Sequence, residues 1–301
     1  MNKVQTEHCF DGFVESRVGG RVENQDAVSW TDTPFGLLVI VCDGMGGGPG
    51  GRTASNTVVE VVIREINSAE TDSLSLEDCS NSVKKSIEKA NEVIASLVAK
   101  NKELKGMGTT IAMTLFHKDS AVVAHVGDSR VYSLRNFSIL LNMPFKIFRT
   151  ADHSFVGELV RNGSLKEEQA RLSANSNIIT RAIGSSYNSD PEIDIVPYCK
   201  GDRFLICSDG IWGSMIEKKL INFAFSSKSP STVVERISNI VDSYGNQKGG
   251  SYDNHTIALI SCGIDSNKKG KICEKLKLEH LLFMSFFIIL IFCHLLLLLF
   301  K

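Results

Sequence analysis

The sequence predicts an α+β fold, a four-layer α-β-β-α sandwich of two antiparallel sheets with helices outside, followed by a C-terminal transmembrane helix. Three observations predict it. Short β-branched runs bounded by Gly, Asp or Asn recur through residues 1–262 of the 301, and the links between some of them are too short for crossover helices. Longer stretches between groups of these runs place apolar residues at steps of three and four. Residues 280–300 are almost wholly apolar. A sheet must cover its buried face, and amphipathic helices are the available cover.

The first run, GLLVIV at 36–41, leads into VCDGMGGGPGG at 41–51, where six of the eight residues 44–51 are glycine. Glycine at that density marks backbone in conformations that other residues resist, or backbone brought close to something bound. Two helices follow, the first over 52–67. Leu76, Cys79, Val83, Ile87, Ala90, Ile94 and Leu97 mark the single apolar face of the second. TTIAMTLF (109–116), AVVAHV (121–126) and VYSL (131–134) then read as three antiparallel neighbours, because their connections are so short. DHSFVGELVRNG reads as a helix with a polar start and Gly163 as its C′ residue. RFLIC (203–207) and HTIALI (255–260) complete the strands, and between them a helix opens at Ser229-Pro230 and closes at Gly245.

Residues 1–262 therefore read as one domain, 263–279 as a basic juxtamembrane linker and 280–300 as a tail anchor. Twenty helical residues rise roughly 30 Å, the thickness of a bilayer's hydrocarbon core. Lys268, Lys269, Lys271, Lys275 and Lys277 precede the apolar segment and only Lys301 follows it, so the positive-inside bias leaves the domain in the cytoplasm on a single-pass membrane anchor. The N-terminal residues lack the apolar core of a signal peptide. The eight cysteines form no CxxC pair, and several sit in apolar runs, as expected of a reducing compartment. A formal net charge of -1 gives no electrostatic basis for binding nucleic acid.

Gly46, Gly48 and Gly51 also satisfy the dinucleotide-binding pattern GxGxxG, but Pro49 sits inside it and a second long helix follows where a strand should. Asp43 would also face a pyrophosphate with the wrong charge. No GK[ST] follows, which excludes a P-loop. The better signal is that Asp43 has counterparts: Asp128, Asp209 and Asp253 also stand at the ends of predicted strands. One Asp-Gly is ordinarily a turn. Four such aspartates at one mouth of a sandwich repel one another and are costly to desolvate unless a cation is present. Oxygen-only ligation favours Mg²⁺ or Mn²⁺ over Zn²⁺. Arg21 and Asp26, in GGRVENQDAVSW, would alone be a surface arginine and a turn acid. Beside a metal pair, Arg21 makes sense as a bidentate clamp for phosphate.

ENQDAV, VCDGMGGGPGG, GMGTTIAMTLF, AHVGDSRVYSL, DHSFVGELVRNG, NIITRAIG, FLICSDGIW and DNHTIALI occur in this order over residues 8–262, and together they resemble the metal-dependent PP2C-like (PPM) protein phosphatases of the bacterial type. The resemblance implies two Mn²⁺ or Mg²⁺ ions bridged by Asp43, with the Gly44 carbonyl, Asp209 and Asp253 as further ligands and Asp128 holding a third, weaker ion. It implies Arg21 as the phosphate-binding arginine, Asp26 as a supporting acid, and Asp152 to Ile178 as a flap beside the cleft. The implied activity is hydrolysis of phosphoserine and phosphothreonine in proteins by a metal-bridged water, counteracting a cytoplasmic Ser/Thr kinase. Met45 stands where many eukaryotic members have a histidine proposed as general acid, and Gln25 replaces a carboxylate. Both follow the bacterial pattern. Two alternatives compete with this reading: a catalytically inactive phosphoprotein-binding module at the membrane, and an enzyme acting on a small phosphate ester. Intact Asp43, Asp209 and Asp253 speak against the first.

Overall fold

The computed structural model describes residues 2–5, 10–46, 49–69, 74–136, 144–184, 188–226 and 228–263. The chain opens with β1 (Asn2–Gln5), β2 (Phe10–Arg17), β3 (Ala27–Thr33), β4 (Gly36–Cys42) and the two-residue β5 (Gly44–Met45). Helices α1 (Pro49–Asn67) and α2 (Leu76–Lys100) lead to β6 (Gly108–Thr109), β7 (Ile111–His117), β8 (Ser120–Val126), β9 (Arg130–Asn136) and β10 (Pro144–Arg149). After α3 (Phe155–Arg161), α4 (Glu167–Arg171), β11 (Glu192–Pro197) and β12 (Arg203–Cys207) come α5 (Asp209–Trp212), α6 (Glu217–Ala224), α7 (Pro230–Gln247) and β13 (His255–Cys262).

The strands form two antiparallel sheets, ordered β1-β2-β13-β12-β9-β10 and β11-β8-β7-β4-β3, while β5 and β6 make a separate small ladder. All seven residues of β4 are buried, which explains its unbroken apolar run: both faces are covered. Leu37, Val39 and Val41 point between the sheets against Phe116, Phe204 and Ile260. Leu38 and Ile40 point the other way, against Val58 and Val62 of α1 and Ile87 of α2. On the far side, Leu205 and Leu259 pack against Leu220 of α6 and Val234 and Ile237 of α7. The layers are helix, sheet, sheet, helix. Each fully buried Leu or Ile contributes about 1.5–3 kcal/mol of transfer free energy, so these three apolar layers hold the frame on which the loops are set.

Helix ends follow local chemistry. Ser75 and Asp78 close a capping box at the start of α2, and Ser229 caps α7 with Pro230 in its first turn. Gly245 does not end α7, which runs on to Gln247. The Tyr252 ring lies where a Cβ on residue 245 would stand.

The expectation of three neighbouring strands over 109–134 is half right. Strands β7 and β8 pair, but β9 pairs with β10 and β12 in the other sheet. Three residues, Gly127 to Ser129, link β8 to β9. Extended, they reach about 10 Å, the spacing of two packed sheets. Gly127, at φ +106°, starts the crossing, and Asp128 stands within it.

Among the described residues no helix is long and apolar enough to cross a membrane. The predicted transmembrane helix at 280–300, and the linker beyond Gly263, lie outside the described residues. Cys42, Cys79, Cys207 and Cys262 are free and buried. Cys199, which stands outside the apolar runs, is disulfide-bonded.

Candidate metal centre

Asp43 leaves the end of β4 with its backbone fully engaged. Its N–H donates to Thr110 Oγ1 at 3.0 Å, and its carbonyl accepts from Thr110 N at 2.9 Å and Thr109 Oγ1 at 2.8 Å. Only the carboxylate is left to face the cleft. At Gly44 an added Cβ would stand 2.2 Å from Gly51 O and 2.5 Å from Gln25 O, so the loop closes this tightly only with glycine. Asp209 opens α5 directly after β12. Asp253 comes just before β13, its Oδ1 accepting from Asn254 N at 2.8 Å. Asp26 precedes β3 and accepts from Ser208 Oγ at 2.8 Å. Asp128 is fixed through its carbonyl, which accepts from Trp212 Nε1 at 2.9 Å.

The fold brings all five aspartates to one place. Burial pushes the Asp43 carboxyl well above the usual range, and the charges of Asp26, Asp209, Asp128 and Asp253 push it further. Asp128 is likewise driven well up, by burial first and then by Asp209. Asp209 rises to about 6, by burial and then by the charge of Asp253, against the lowering effect of a hydrogen bond with Asp43. Asp26 rises to about 7, chiefly by burial, although bonds from Thr256 and Ser208 oppose the rise. Asp128 Oδ1 and Asp209 Oδ1 are buried with no hydrogen-bond partner. Buried carboxylate oxygens of this kind are costly without a counter-charge. An oxygen-lined group with this much unbalanced charge fits hard divalent cations.

Arg21 reaches the same group, but in an arrangement the sequence did not suggest. Its Nε and Nη2 donate to Asp253 Oδ1 and Oδ2 at 3.0 and 2.8 Å. The predicted phosphate clamp and a predicted metal ligand are thus paired with each other, and both are well exposed to solvent. Met45 sits in β5, opposite Gly108.

Several supporting residues escaped the sequence reading. Asn254 is buried and holds the Arg21 loop at three points: Oδ1 accepts from Gln25 N, and Nδ2 donates to Val18 O and Glu23 O. Thr109 and Thr110 grip Asp43, and Thr110 Oγ1 lies 2.8 Å from Ser129 Oγ, beside Asp128. The only sequence signal was polar residues at strand starts, where apolar ones would ordinarily stand. The segment from Asp152 to Ile178 carries α3 and α4. Between it and α5–α6 lies a cavity of about 320 Å³ lined by residues including Arg130, Asp152, Val156, Trp212 and Glu217. Arg130 forks Asp152 at 2.7 and 2.6 Å and stacks 3.6 Å from the centre of the Trp212 ring. The root of this segment is therefore joined to the helix that begins at Asp209.

Residues 16–248 match the family model described as protein phosphatase 2C. The chain is 32% identical over 256 residues to the serine/threonine phosphatase stp of Listeria monocytogenes, covering 84% of this chain and 91% of that protein. It is similar in structure to the serine/threonine phosphatase of S. agalactiae, with a TM-score of 0.72 and 30% identity over 84% of this chain and 99% of that one. A further similar structure is the catalytic domain of the phosphatase PstP in complex with two manganese ions, with a TM-score of 0.68 and 26% identity over 85% of this chain and 99% of that one.

Proposed function

The chain belongs to the protein phosphatase 2C family and is a protein serine/threonine phosphatase, and we propose that Asp43, Asp209 and Asp253 are the carboxylates that hold its two cations. The observation that carries the assignment is the cluster of mutually repelling aspartates around Asp43, with buried, orphaned oxygens at Asp128 and Asp209. The Gly44 carbonyl completes this ligand set, and Asp128 serves a third, weaker ion. Bound there, Mn²⁺ or Mg²⁺ supplies neutralisation of phosphate charge and an activated water.

The chain's own residues do the rest. Thr109 and Thr110 fix the Asp43 backbone so that its carboxylate stays aimed into the cleft. Arg21, half in solvent, exchanges its fork from Asp253 to the phosphate of the substrate, since guanidinium matches both anions bidentately. Asp26 orders Ser208 next to Asp209. No side chain here stands as a nucleophile or as an assigned general acid.

The substrates are phosphorylated proteins, and the reaction opposes that of a Ser/Thr kinase. The apolar segment at 280–300 anchors the enzyme in a membrane with its domain in the cytoplasm, on the strength of its length and the five lysines before it. The inactive-module alternative is not favoured by relatives that are phosphatases.

Phosphate release from a phosphothreonine peptide by the full chain tests the activity. Release is expected with Mn²⁺ and none with chelator; a folded protein inactive with every divalent ion would refute it. Membrane fractions of cells expressing the full chain, or a chain ending at Gly263, test the anchor. Equal partitioning of the two would end that proposal.

A further inference from the structure

We propose that His153 is a positioning residue that clamps the root of the flap to Gly127 and thereby sets the place of Asp128, a role that rests on reading Asp128 as an ion ligand. His153 N–H donates to Gly127 O at 2.9 Å, and Gly127 N–H donates back to His153 Nδ1 at 3.2 Å. This reciprocal pair encloses the residue immediately before Asp128. The carbonyl of His153 accepts from Thr180 N at 2.9 Å, and two residues on, Phe155 N donates to Ile178 O at 2.8 Å. Both ends of the flap thus meet at His153. The imidazole is buried, and its Nε2 lies 3.1 Å from Glu192 Oε2 on β11.

The backbone decides the tautomer. An amide N–H can only donate, so Nδ1 carries no proton; the neutral ring keeps its proton on Nε2 and gives it to Glu192. Burial holds the ring neutral, with His125 stacked against it at 4.3 Å between centroids. His125, His153 and Glu192 bring ligating atoms within 4.8 Å of one another, a grouping that transition metals use. The hydrogen bonds argue against that use. A metal on Nε2 would place the proton on Nδ1, which would then confront the Gly127 N–H donor to donor.

From the opposite side, Trp212 Nε1 holds the carbonyl of Asp128 itself. Asp128 therefore stands between two anchors, one from α5 and one from the flap. Loss of the Nδ1 acceptor leaves the Gly127 N–H without its partner, and the crossing between the sheets relaxes on that side.

The test uses the full chain as wild type, His153→Ala, His153→Asn and Glu192→Ala. Asn places its Oδ1 near where Nδ1 stands, keeping the acceptor without the ring. Amide hydrogen exchange under chelator reads Gly127 directly, and calorimetric titration with Mn²⁺ reads the weakest ion. His153→Ala is expected to speed Gly127 exchange about a hundredfold and weaken the weakest Mn²⁺ binding about tenfold, with α2 amides unchanged. His153→Asn should recover most of both, and Glu192→Ala should shift the same amide by about fivefold. Identical behaviour of the Ala and Asn variants, uniform loss of protection across the domain, or an unmoved Gly127 amide would overturn the clamp. Should His153→Ala fail to fold, the Asn and Glu192 variants decide. Wild-type protein that binds no Mn²⁺ would refute the ion-ligand reading, and Gly127 exchange would still judge the clamp.

Discussion

Strand β12 carries an aspartate at each end, and the two are treated in opposite ways. Asp202, before the strand, is forked by Arg135 at 2.8 and 2.6 Å and also accepts from Cys199 N at 2.8 Å. Asp209, after it, keeps a buried oxygen with no partner and a carboxyl raised to about 6. Only strand β12 and Ser208 separate a charge the folded chain satisfies from one it leaves wanting. The first kind holds structure together. The second is a cost that the fold retains, and a bound cation is the partner that offsets it.

The comparison breaks most visibly if the two ends are swapped in importance. Asp209→Asn should lower Mn²⁺-dependent phosphate release by at least about 10³-fold, the scale of several kcal/mol of metal-derived stabilisation, while circular dichroism stays that of the wild type. Asp202→Ala should do the reverse. It leaves the buried Arg135 unpaired and should cost about 3–5 kcal/mol in urea unfolding, with turnover per folded molecule retained. Asp209→Asn destabilising by that much, or Asp202→Ala abolishing turnover, would merge the two classes.

A pH titration sharpens the contrast. The folded carboxyls of Asp26 and Asp209 lie at about 7 and about 6, above their unfolded value of 3.8. Between these values the folded state binds more protons than the unfolded one, so stability falls as pH rises. Metal-free protein should therefore lose on the order of a few kcal/mol between about pH 4 and 7, and saturating Mn²⁺ should flatten that slope. A metal-free stability that rises with pH across this window would contradict the assignment. The smallest effect belongs to Arg21, which is well exposed. Arg21→Ala should lower kcat/KM on a phosphopeptide about tenfold and Arg21→Lys should recover only part of it, because the fork is lost.

How far the sequence could be read follows the same division. Strands β4, β7 and β8 are buried along their whole lengths, so their apolar runs announced them. Strand β2 escaped because Glu15 and Arg17 interrupt its pattern; they pair with each other at 2.9 Å, and Arg17 also reaches Asp242. Strands β10 and β11 lie at sheet edges, where Phe145, Ile147 and Ile195 are exposed and hydrophobic alternation is weak. The aspartates were legible because a charge at the end of a buried strand is conspicuous. Their pairing with Arg21 was not, since Arg21 and Asp253 are 232 residues apart. Nor was His153, which read as part of a helix start; its partners Gly127 and Glu192 lie 26 and 39 residues away.

The most direct test is the melting temperature of wild type and Asp209→Asn, each with chelator and with Mn²⁺. In chelator the variant should melt at or above the wild type, because a buried repelling charge has been removed. In Mn²⁺ the wild type should rise by several degrees and overtake a variant that gains little. A variant that melts well below wild type in chelator, or a wild type that Mn²⁺ leaves unmoved, would contradict the claim that these carboxylates await a cation.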